Sequence, residues 1–238
     1  MSVIDLFDLN RSEWSFDDIY SELGVSRSTL YRYLKTLMDS GFLTSLPGRG
    51  YTLGPRVIEL NYQIMMTDPL IHVARPMMKE LSSGNFGVSL LCRRYKQKVL
   101  CVHQEASTTQ FLSRFERGKA RPLLLGAASL AILAYFPTYQ LTKLHQAQAG
   151  EFEAAGLGGS LTAVKQALKQ IRQSGWIHTE GQVTAGVTGI AAPIFDSKND
   201  VIGSLSLTLP EVNIERGRLE QLGERILFCA RIISKSLT

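Results

Sequence analysis

The feature that most constrains the fold is a pair of short, sharply bounded helical patterns near the start of the chain. The first covers Phe16–Leu23, with Ser15 placed to cap its N-terminus and Gly24 suited to the left-handed residue that ends a helix. The second begins at Ser26, another natural N-cap, and runs to Ser40. Two helices joined by so tight a glycine-containing turn predict a helix-turn-helix.

The second helix has one apolar and one polar face. Apolar residues recur at the spacing of a helix packed on one side, and they are Leu30, Tyr33, Leu34, Leu37 and Met38. No acidic residue lies between Ser26 and Met38, so Arg27, Arg32 and Lys35 give this helix a local charge of +3. A helix-turn-helix presents its second helix to the major groove of DNA. We therefore expect DNA contacts from Ser26, Arg27, Ser28, Thr29, Tyr31, Arg32, Lys35 and Arg49.

A β-hairpin follows directly, in the position of a wing. Residues 42–44 and 51–53 are β-prone, and residues 46–50 between them have turn chemistry throughout. Arg49 stands at the tip, where it could reach a minor groove or a phosphate. Residues 3–9 contain five apolar side chains and predict a first helix that covers the core of this winged domain.

The overall charge of +5 does not argue for DNA binding, because it is distributed the wrong way. Residues 1–67 hold 6 Lys and Arg against 8 Asp and Glu, a balance of −2, whereas residues 68–238 hold 20 against 13, a balance of +7. The acidic balance favours one alternative, a protein-interaction module whose winged helix does not bind DNA. The case for DNA depends on the local charge of one helix.

An apolar helical pattern at residues 55–66 separates this domain from the rest of the chain. Its apolar residues are too many for one face, which suits a connector that also pairs with a second subunit. The expected domains are therefore a winged helix-turn-helix over residues 1–54, a connector helix over residues 55–68 and a larger domain over residues 69–238.

The larger domain is predicted to be α+β with an antiparallel sheet. Strands are expected at residues 88–92, 98–102, 108–115, 189–195 and 201–209. Helices are expected at residues 69–81, 125–135, 140–147, 161–173 and 214–237.

Several classes of protein are disfavoured. No run approaches the roughly 18 apolar residues of a membrane span, and the start of the chain lacks the features of a secretion signal, so a cytoplasmic location is expected. An enzyme is the main rival, but no G-x-S-x-G, H-E-x-x-H or P-loop motif occurs. The three cysteines and four histidines are scattered without metal-ligand spacing, so no cofactor or metal is expected.

The whole pattern resembles the IclR family of regulators. The resemblance rests on residues 18–37 (DIYSELGVSRSTLYRYLKTL), 41–43 (GFL) and 51–56 (YTLGPR), followed in order by residues 121–123 (RPL), 171–176 (IRQSGW), 186–187 (GV) and 190–196 (IAAPIFD). It covers nearly the full chain.

The resemblance implies a one-component transcriptional regulator, a homodimer or homotetramer that pairs through its N-terminal domains. Its GAF-like C-terminal domain would bind a small organic acid, and repression of a catabolic operon is the commoner mode in the family. Carried over by position, the effector pocket would involve Ala127, Ala128, Thr179, Val187, Gly189, Ser206 and Thr208. Main-chain N–H groups at the start of a helix, with the two hydroxyls on the last strand, would converge on a carboxylate.

The chain departs from the family pattern within this pocket. Ser129-Leu130 stands where a Gly-Lys or Gly-Arg pair is common, Thr179 where an acid is common, and Gly189 where a cysteine or other side chain is common. We expect a less polar pocket with room beside Gly189, and hence a larger or more aromatic effector. His178 and Glu180 are further candidates for polar contacts there.

Overall fold

A computed structural model describes residues 2–85, 87–106, 116–210 and 212–237. The chain divides into two compact units, Met1–Asp68 and Pro69–Thr238. Each unit has its own hydrophobic core.

The smaller unit is a winged helix-turn-helix. Its elements are a short 3-10 helix (Val3–Leu6), helices α1 (Phe16–Leu23) and α2 (Arg27–Asp39), strands β1 (Leu43–Leu46) and β2 (Gly50–Leu53), and helix α3 (Arg56–Thr67). Strands β1 and β2 form an antiparallel hairpin after α2, as the sequence predicts. The core between these elements is small, with Ile19, Leu30 and Leu34 almost completely buried.

Local capping explains where the two central helices begin and end. Ser15 Oγ accepts from the Asp18 amide at 3.2 Å, and the Asp18 carboxylate accepts from the Ser15 amide at 3.4 Å, which forms a capping box. Gly24 ends α1 in the left-handed region at φ +62°. Ser26 Oγ then caps α2 by accepting from the Thr29 amide at 3.3 Å.

Two expectations for this unit were wrong. The helix expected at residues 3–9 is only the 3-10 turn Val3–Leu6, and Leu9 is 90% exposed. The reason is local, because Asp8 Oδ1 accepts from the amides of Asn10 and Arg11, both at 2.8 Å, and so favours a turn over a helix. Tyr33, expected on the apolar stripe of α2, is 44% exposed.

The larger unit is α+β, as predicted, and its sheet is antiparallel throughout. Its helices are α4 (Pro69–Asn85), α5 (Ala127–Leu133), α6 (Thr138–Ala154), α7 (Leu161–Ser174) and α8 (Arg216–Ser236). Its strands are β3 (Val88–Tyr95), β4 (Lys98–Ala106), β5 (Ala120–Pro122), β6 (Ile177–Glu180), β7 (Thr188–Phe195) and β8 (Val201–Leu209), in the spatial order β5-β4-β3-β8-β7-β6. The sequence did not predict the short edge strands β5 and β6. The strand expected at residues 108–115 lies outside the described residues.

The two faces of this sheet pack against different helices. Leu205 and Leu207 of β8 face α4 and α8, whereas the alternate residues Ser204, Ser206 and Thr208 point to the side of α5. Small hydroxyl side chains thus line the sheet beneath α5, where a cavity lies. Within the described ranges, no helix combines the length and the apolar character needed to cross a membrane.

Candidate functional sites

The predicted DNA-contacting residues lie on an accessible face of the smaller unit. Seven of the eight are exposed, among them Tyr31 at 60%, and only Thr29 is partly buried. Ser26 Oγ, at the N-cap of α2, lies 2.9 Å from Thr29 Oγ1 and 3.2 Å from Ser28 Oγ. These three hydroxyls form an exposed polar cluster where the helix begins, and hydroxyls can donate to phosphate oxygens.

Arg27 and Arg49 are held by acidic residues outside α2. Arg27 donates to Asp17 Oδ1 at 2.9 Å, and its guanidinium carbon lies 4.9 Å from the centre of the Phe16 ring. Arg49, at the wing, pairs with Glu13. These pairs are solvent-exposed, so each contributes little to stability, and either acid can be exchanged for a phosphate.

Arg32 and Lys35 differ from those two arginines. Among the described residues, neither has an acidic side chain within ion-pair distance. Arg32 lies one turn after Ser28, and Lys35 lies one turn after Arg32, so all three share one side of α2. The helix therefore presents two exposed cations along a line that starts at the hydroxyl cluster.

The wing is fixed by backbone pairing to the segment before α1. The Tyr51 amide donates to the Trp14 carbonyl at 2.8 Å, and the Trp14 amide donates back to the Tyr51 carbonyl at 3.0 Å. Gly50 has φ +112°, and a Cβ atom there would lie 2.2 Å from the Trp14 carbonyl oxygen. Only glycine fits this close approach.

In the larger unit, all seven residues expected to form the effector pocket line one cavity between α5 and the sheet. The cavity has a volume of about 50 Å³ and is partly open to solvent. It is lined by Leu90, Arg121, Leu125, Gly126, Ala127, Ala128, Thr179, Gln182, Val183, Thr184, Val187, Gly189, Ser206 and Thr208.

Strand register explains how residues distant in sequence meet on the sheet side of the cavity. Thr208 of β8 pairs with Gly189 of β7, and Gly189 pairs with Thr179 of β6. Thr179 thus lies on the edge strand β6. His178 and Glu180 alternate with it, are exposed and are absent from the lining, so their suggested role as polar contacts was wrong.

Backbone amides at the start of α5 already donate hydrogen bonds to protein side chains. The Ala127 amide donates to Thr179 Oγ1 at 3.1 Å, and the Gly126 amide donates to Gln182 Oε1 at 3.2 Å. Gln182 also donates from Nε2 to the Ala155 carbonyl at 3.3 Å. Two of the amides that were expected to receive a carboxylate are therefore occupied, and a ligand would have to displace side chains to reach them.

There is some free space beside Gly189, where room was expected from the sequence. A Cβ atom added there would lie 3.7 Å from both Ala127 Cβ and Thr179 Oγ1, which is ordinary contact distance. Glycine thus leaves room for about one methyl group between β7 and α5.

Two polar residues of the cavity stand out, one because it is buried without a hydrogen-bond partner and one because it is charged. Ser206 is 2% exposed, and its Oγ has no hydrogen-bond partner in the described structure. Arg121 is the only charged residue among the described residues that line the cavity. Burial lowers the pKa of its guanidinium, although the nearby Cys92 and Cys101 thiols oppose that shift.

Sequence reasoning missed Arg121 as a cavity residue, although it stands in the RPL motif. Its position depends on pairing with Val99, a fully buried residue of β4, and a three-residue edge strand gives no periodic signal that predicts such a register. Within the described residues, no group of three His, Cys, Asp or Glu side chains could hold a metal ion.

Comparison with known proteins gives matches over both units. The family model for the bacterial transcriptional regulator IclR C-terminal region matches residues 63–235, and the model for the IclR helix-turn-helix domain matches residues 1–47. The chain is 27% identical to the DNA-binding transcriptional repressor YiaJ of Escherichia coli, over 87% of this chain and 73% of that protein.

Solved structures share the fold along nearly the whole chain. An IclR family transcriptional regulator from Brucella abortus superposes with a TM-score of 0.79 at 20% identity, over 99% of this chain and 90% of that one. An IclR homologue from Microbacterium hydrocarbonoxydans, crystallised with 4-hydroxybenzoate, gives a TM-score of 0.71 at 22% identity, over 99% and 95% of the two chains.

Proposed function

The chain belongs to the IclR family of bacterial transcriptional regulators, and from that premise we propose that it represses a catabolic operon under the control of a small organic acid. Operator DNA would be bound by α2 and the wing, and the acid by the cavity beneath α5. A repressor among the relatives, YiaJ, supports the direction of control. Because such a protein acts on the chromosome, we place it in the cytoplasm.

The observation that carries the DNA half of this proposal is the exposed face of α2. Arg32 and Lys35 are accessible cations, and the hydroxyl cluster at Ser26 lies at the end of the helix that would enter the groove first. Arg27 and Arg49 add cations whose exposed ion pairs can be exchanged for phosphate contacts. Positioning contacts to phosphate and base contacts in the groove can both be supplied here.

The effector half rests on the cavity. Seven residues chosen by family position are brought together by strand register and by α5, and most of the lining is apolar. The room for about one methyl group beside Gly189 favours an acid larger than one of two or three carbons. An IclR homologue was crystallised in complex with 4-hydroxybenzoate, which supports an aromatic acid as the ligand.

A homodimer or homotetramer is the proposed assembly, with α3 as a contact between subunits. Four large apolar side chains of this helix are more than half exposed, namely Ile58, Tyr62, Ile64 and Met66. An exposed apolar surface of this kind is typical of an interface.

Two experiments test this function. In gel-shift or anisotropy assays with the DNA flanking its own gene, log affinity should fall steeply with log salt concentration. A thermal-shift screen of organic acids should then show at least one that raises the melting temperature of the larger unit, because a ligand of the folded state stabilises it. DNA binding that is absent or indifferent to salt would favour the protein-interaction alternative. Turnover of a screened acid would favour an enzyme.

A further inference from the structure

The larger unit contains a cation placed on the wall of its cavity. Arg121 lies on β5 directly opposite Val99, which is fully buried, so the two side chains project from the same face of the sheet. From this edge Arg121 contributes to the lining of the cavity beneath α5. No acidic side chain belongs to the described lining, so the fixed charge of the cavity is positive.

A buried hydroxyl lies in the same cavity. Ser206, 2% exposed, has no hydrogen-bond partner for its Oγ, whereas Ser204, two residues earlier on the same face of β8, donates to the Ala128 carbonyl at 2.8 Å. Unpartnered buried hydroxyls are rare because removing them from water without a new hydrogen bond costs free energy. The Ser206 hydroxyl is therefore available for a hydrogen bond, and a water molecule or a ligand in the cavity that it lines can supply the partner.

Resting on the proposed function of this cavity, we propose that Arg121 binds the carboxylate of the effector, together with the Ser206 hydroxyl that the family resemblance already implied. Arg121 is thus a specificity-determining residue that selects acids over neutral molecules of the same shape. A planar guanidinium matches the two oxygens of a carboxylate and can bond both at once. The hydroxyl supplies a donor to one of the lone pairs that the guanidinium leaves free.

Burial supports this assignment in a second way. Partial loss of water around Arg121 disfavours its charged form and lowers the pKa of the group, so an incoming anion replaces stabilisation that solvent no longer gives. The alternative anchor, the start of α5, is weaker, because the Gly126 and Ala127 amides are held by Gln182 and Thr179. The acid group therefore lies toward β5, and the body of the ligand lies toward Gly189.

The test compares an acid with its neutral analogue on the full-length protein. Calorimetry and thermal shift would be run with 4-hydroxybenzoate, benzoate, pyruvate and glyoxylate, and with 4-hydroxybenzamide as the uncharged partner. We expect the wild type to bind an acid at least tenfold more tightly than the corresponding amide. Arg121→Gln should weaken acid binding about ten- to a hundredfold and leave amide binding unchanged.

Matched variants separate this role from a general loss of charge or of folding. Arg94→Gln removes the same charge from a partly buried arginine of β3 that lies 4.0 Å from the Phe136 ring, outside the cavity, and should leave acid binding unchanged. Arg121→Lys keeps the positive charge but lacks the planar guanidinium that can bond both carboxylate oxygens. This variant should lose part of its affinity for acids and melt at the same temperature as the wild type. Ser206→Ala gives a second measurement, with a smaller loss for acids only.

The outcomes are distinguishable. If no acid binds the wild type, the effector part of the proposed function is wrong and this inference falls with it. If acids bind the wild type and Arg121→Gln equally well, the proposed function stands and the role of Arg121 is refuted. Equal losses in Arg94→Gln would also refute it, because the effect would then be one of overall charge.

Discussion

The two candidate sites differ in how their polar groups are satisfied before any ligand arrives. On the helix-turn-helix, Arg27 and Arg49 are exposed and paired with Asp17 and Glu13. In the cavity, Ser206 is buried without a partner. A ligand at the first site would exchange one exposed partner for another, whereas a ligand at the second would add an interaction that Ser206 does not make in the described structure.

This difference predicts opposite dependences on conditions. Exposed charges are screened by salt, with a Debye length of about 10 Å at 0.1 M, so DNA affinity should depend strongly on ionic strength. Partly buried groups are screened much less, so binding of an acid in the cavity should depend weakly on it. Under the proposed function, the surface would provide affinity over a broad area, and the cavity would select one kind of ligand.

The substitution with the largest expected effect disrupts the smaller unit and leaves the larger unit intact. Gly50→Ala places a Cβ atom 2.2 Å from the Trp14 carbonyl oxygen at φ +112°, so the wing must separate from its backbone partner. We expect about 3 kcal/mol or more of destabilisation in the smaller unit and complete loss of DNA binding. Acid binding by calorimetry should be unchanged, because the cavity belongs to the other compact unit.

Gly48→Ala is the control for that change. Gly48 also has a positive φ, +73°, but no atom lies within 4 Å of an added Cβ. Only the backbone strain of about 1–2 kcal/mol should remain, with DNA binding reduced and not lost. If Gly50→Ala abolished acid binding as well, the two units would not be independent.

The next largest effect separates two arginines of α2. Arg32→Ala should weaken operator binding by about 1–3 kcal/mol if the side chain reads a base, with no effect on stability. Arg27→Ala should cost less in DNA affinity, because that arginine must first leave Asp17, but it should also lower stability through lost packing on Phe16. Anisotropy titrations and thermal melts measure the two quantities.

Arg216→Ala provides the charge-matched control for both arginines. Its side chain is 91% exposed on α8 of the other unit, where it pairs with Glu220. DNA affinity should be unaffected. An Arg32→Ala protein that binds DNA as the wild type does, at every salt concentration, would contradict the assignment of α2.

A smaller effect, opposite in sign at two neighbouring serines, sharpens the description of the cavity. Ser204→Ala removes a buried hydrogen bond to the Ala128 carbonyl and should destabilise the larger unit by about 1 kcal/mol. Ser206→Ala removes a hydroxyl that has no partner and should raise stability by about 1 kcal/mol. Urea unfolding of both variants without ligand makes the comparison. Equal destabilisation would mean that Ser206 has a partner in solution.

The elements that sequence predicted well are those with local causes. Ser15 and Gly24 bound α1, and Ser160 and Gly175 bound α7, because caps act within one turn of the helix that they end. Strand β8 matches its predicted bounds because alternation over nine residues is a strong signal. A helix was predicted where the 3-10 turn lies because the prediction counted apolar residues only. The Asp8 side chain accepts hydrogen bonds from the following backbone amides and so favours a turn over a helix.

The cavity shows where a single sequence stops being informative. Resemblance supplied Thr179 and Gly189, but their direct pairing is a fact of strand register. Arg121 is evident in the RPL motif, but the sequence could not predict which face of the sheet its side chain occupies. Strand β5 spans only three residues and depends on β4 for its pairing. Edge strands of this length are specified by tertiary contacts, which leave no pattern within the strand itself.

The smallest expected effect concerns the helix-turn-helix unit at acid pH. Hydrogen bonding from Ser15, opposed by some desolvation and aided by Arg11, holds the pKa of Asp18 below its ordinary value. A carboxyl whose pKa is lower in the folded state stabilises that state above its unfolded pKa. The stabilisation is lost as pH falls through the folded pKa. The capping box of α1 should therefore weaken below about pH 4, the region of an ordinary aspartate.

Trp14 reports this change because it lies in the same unit, once Trp176→Phe has removed the only other tryptophan. In that background the melting temperature followed by Trp14 fluorescence should fall between about pH 5 and pH 2.5, and Asp18→Asn should flatten the dependence. Asp39→Asn, which removes a carboxylate from the end of α2 instead, is the matched control for the loss of one charge. Because solvent screens a half-exposed cap, the expected change is small, and a steep loss that survives Asp18→Asn would place the acid sensitivity in the other ion pairs of this surface.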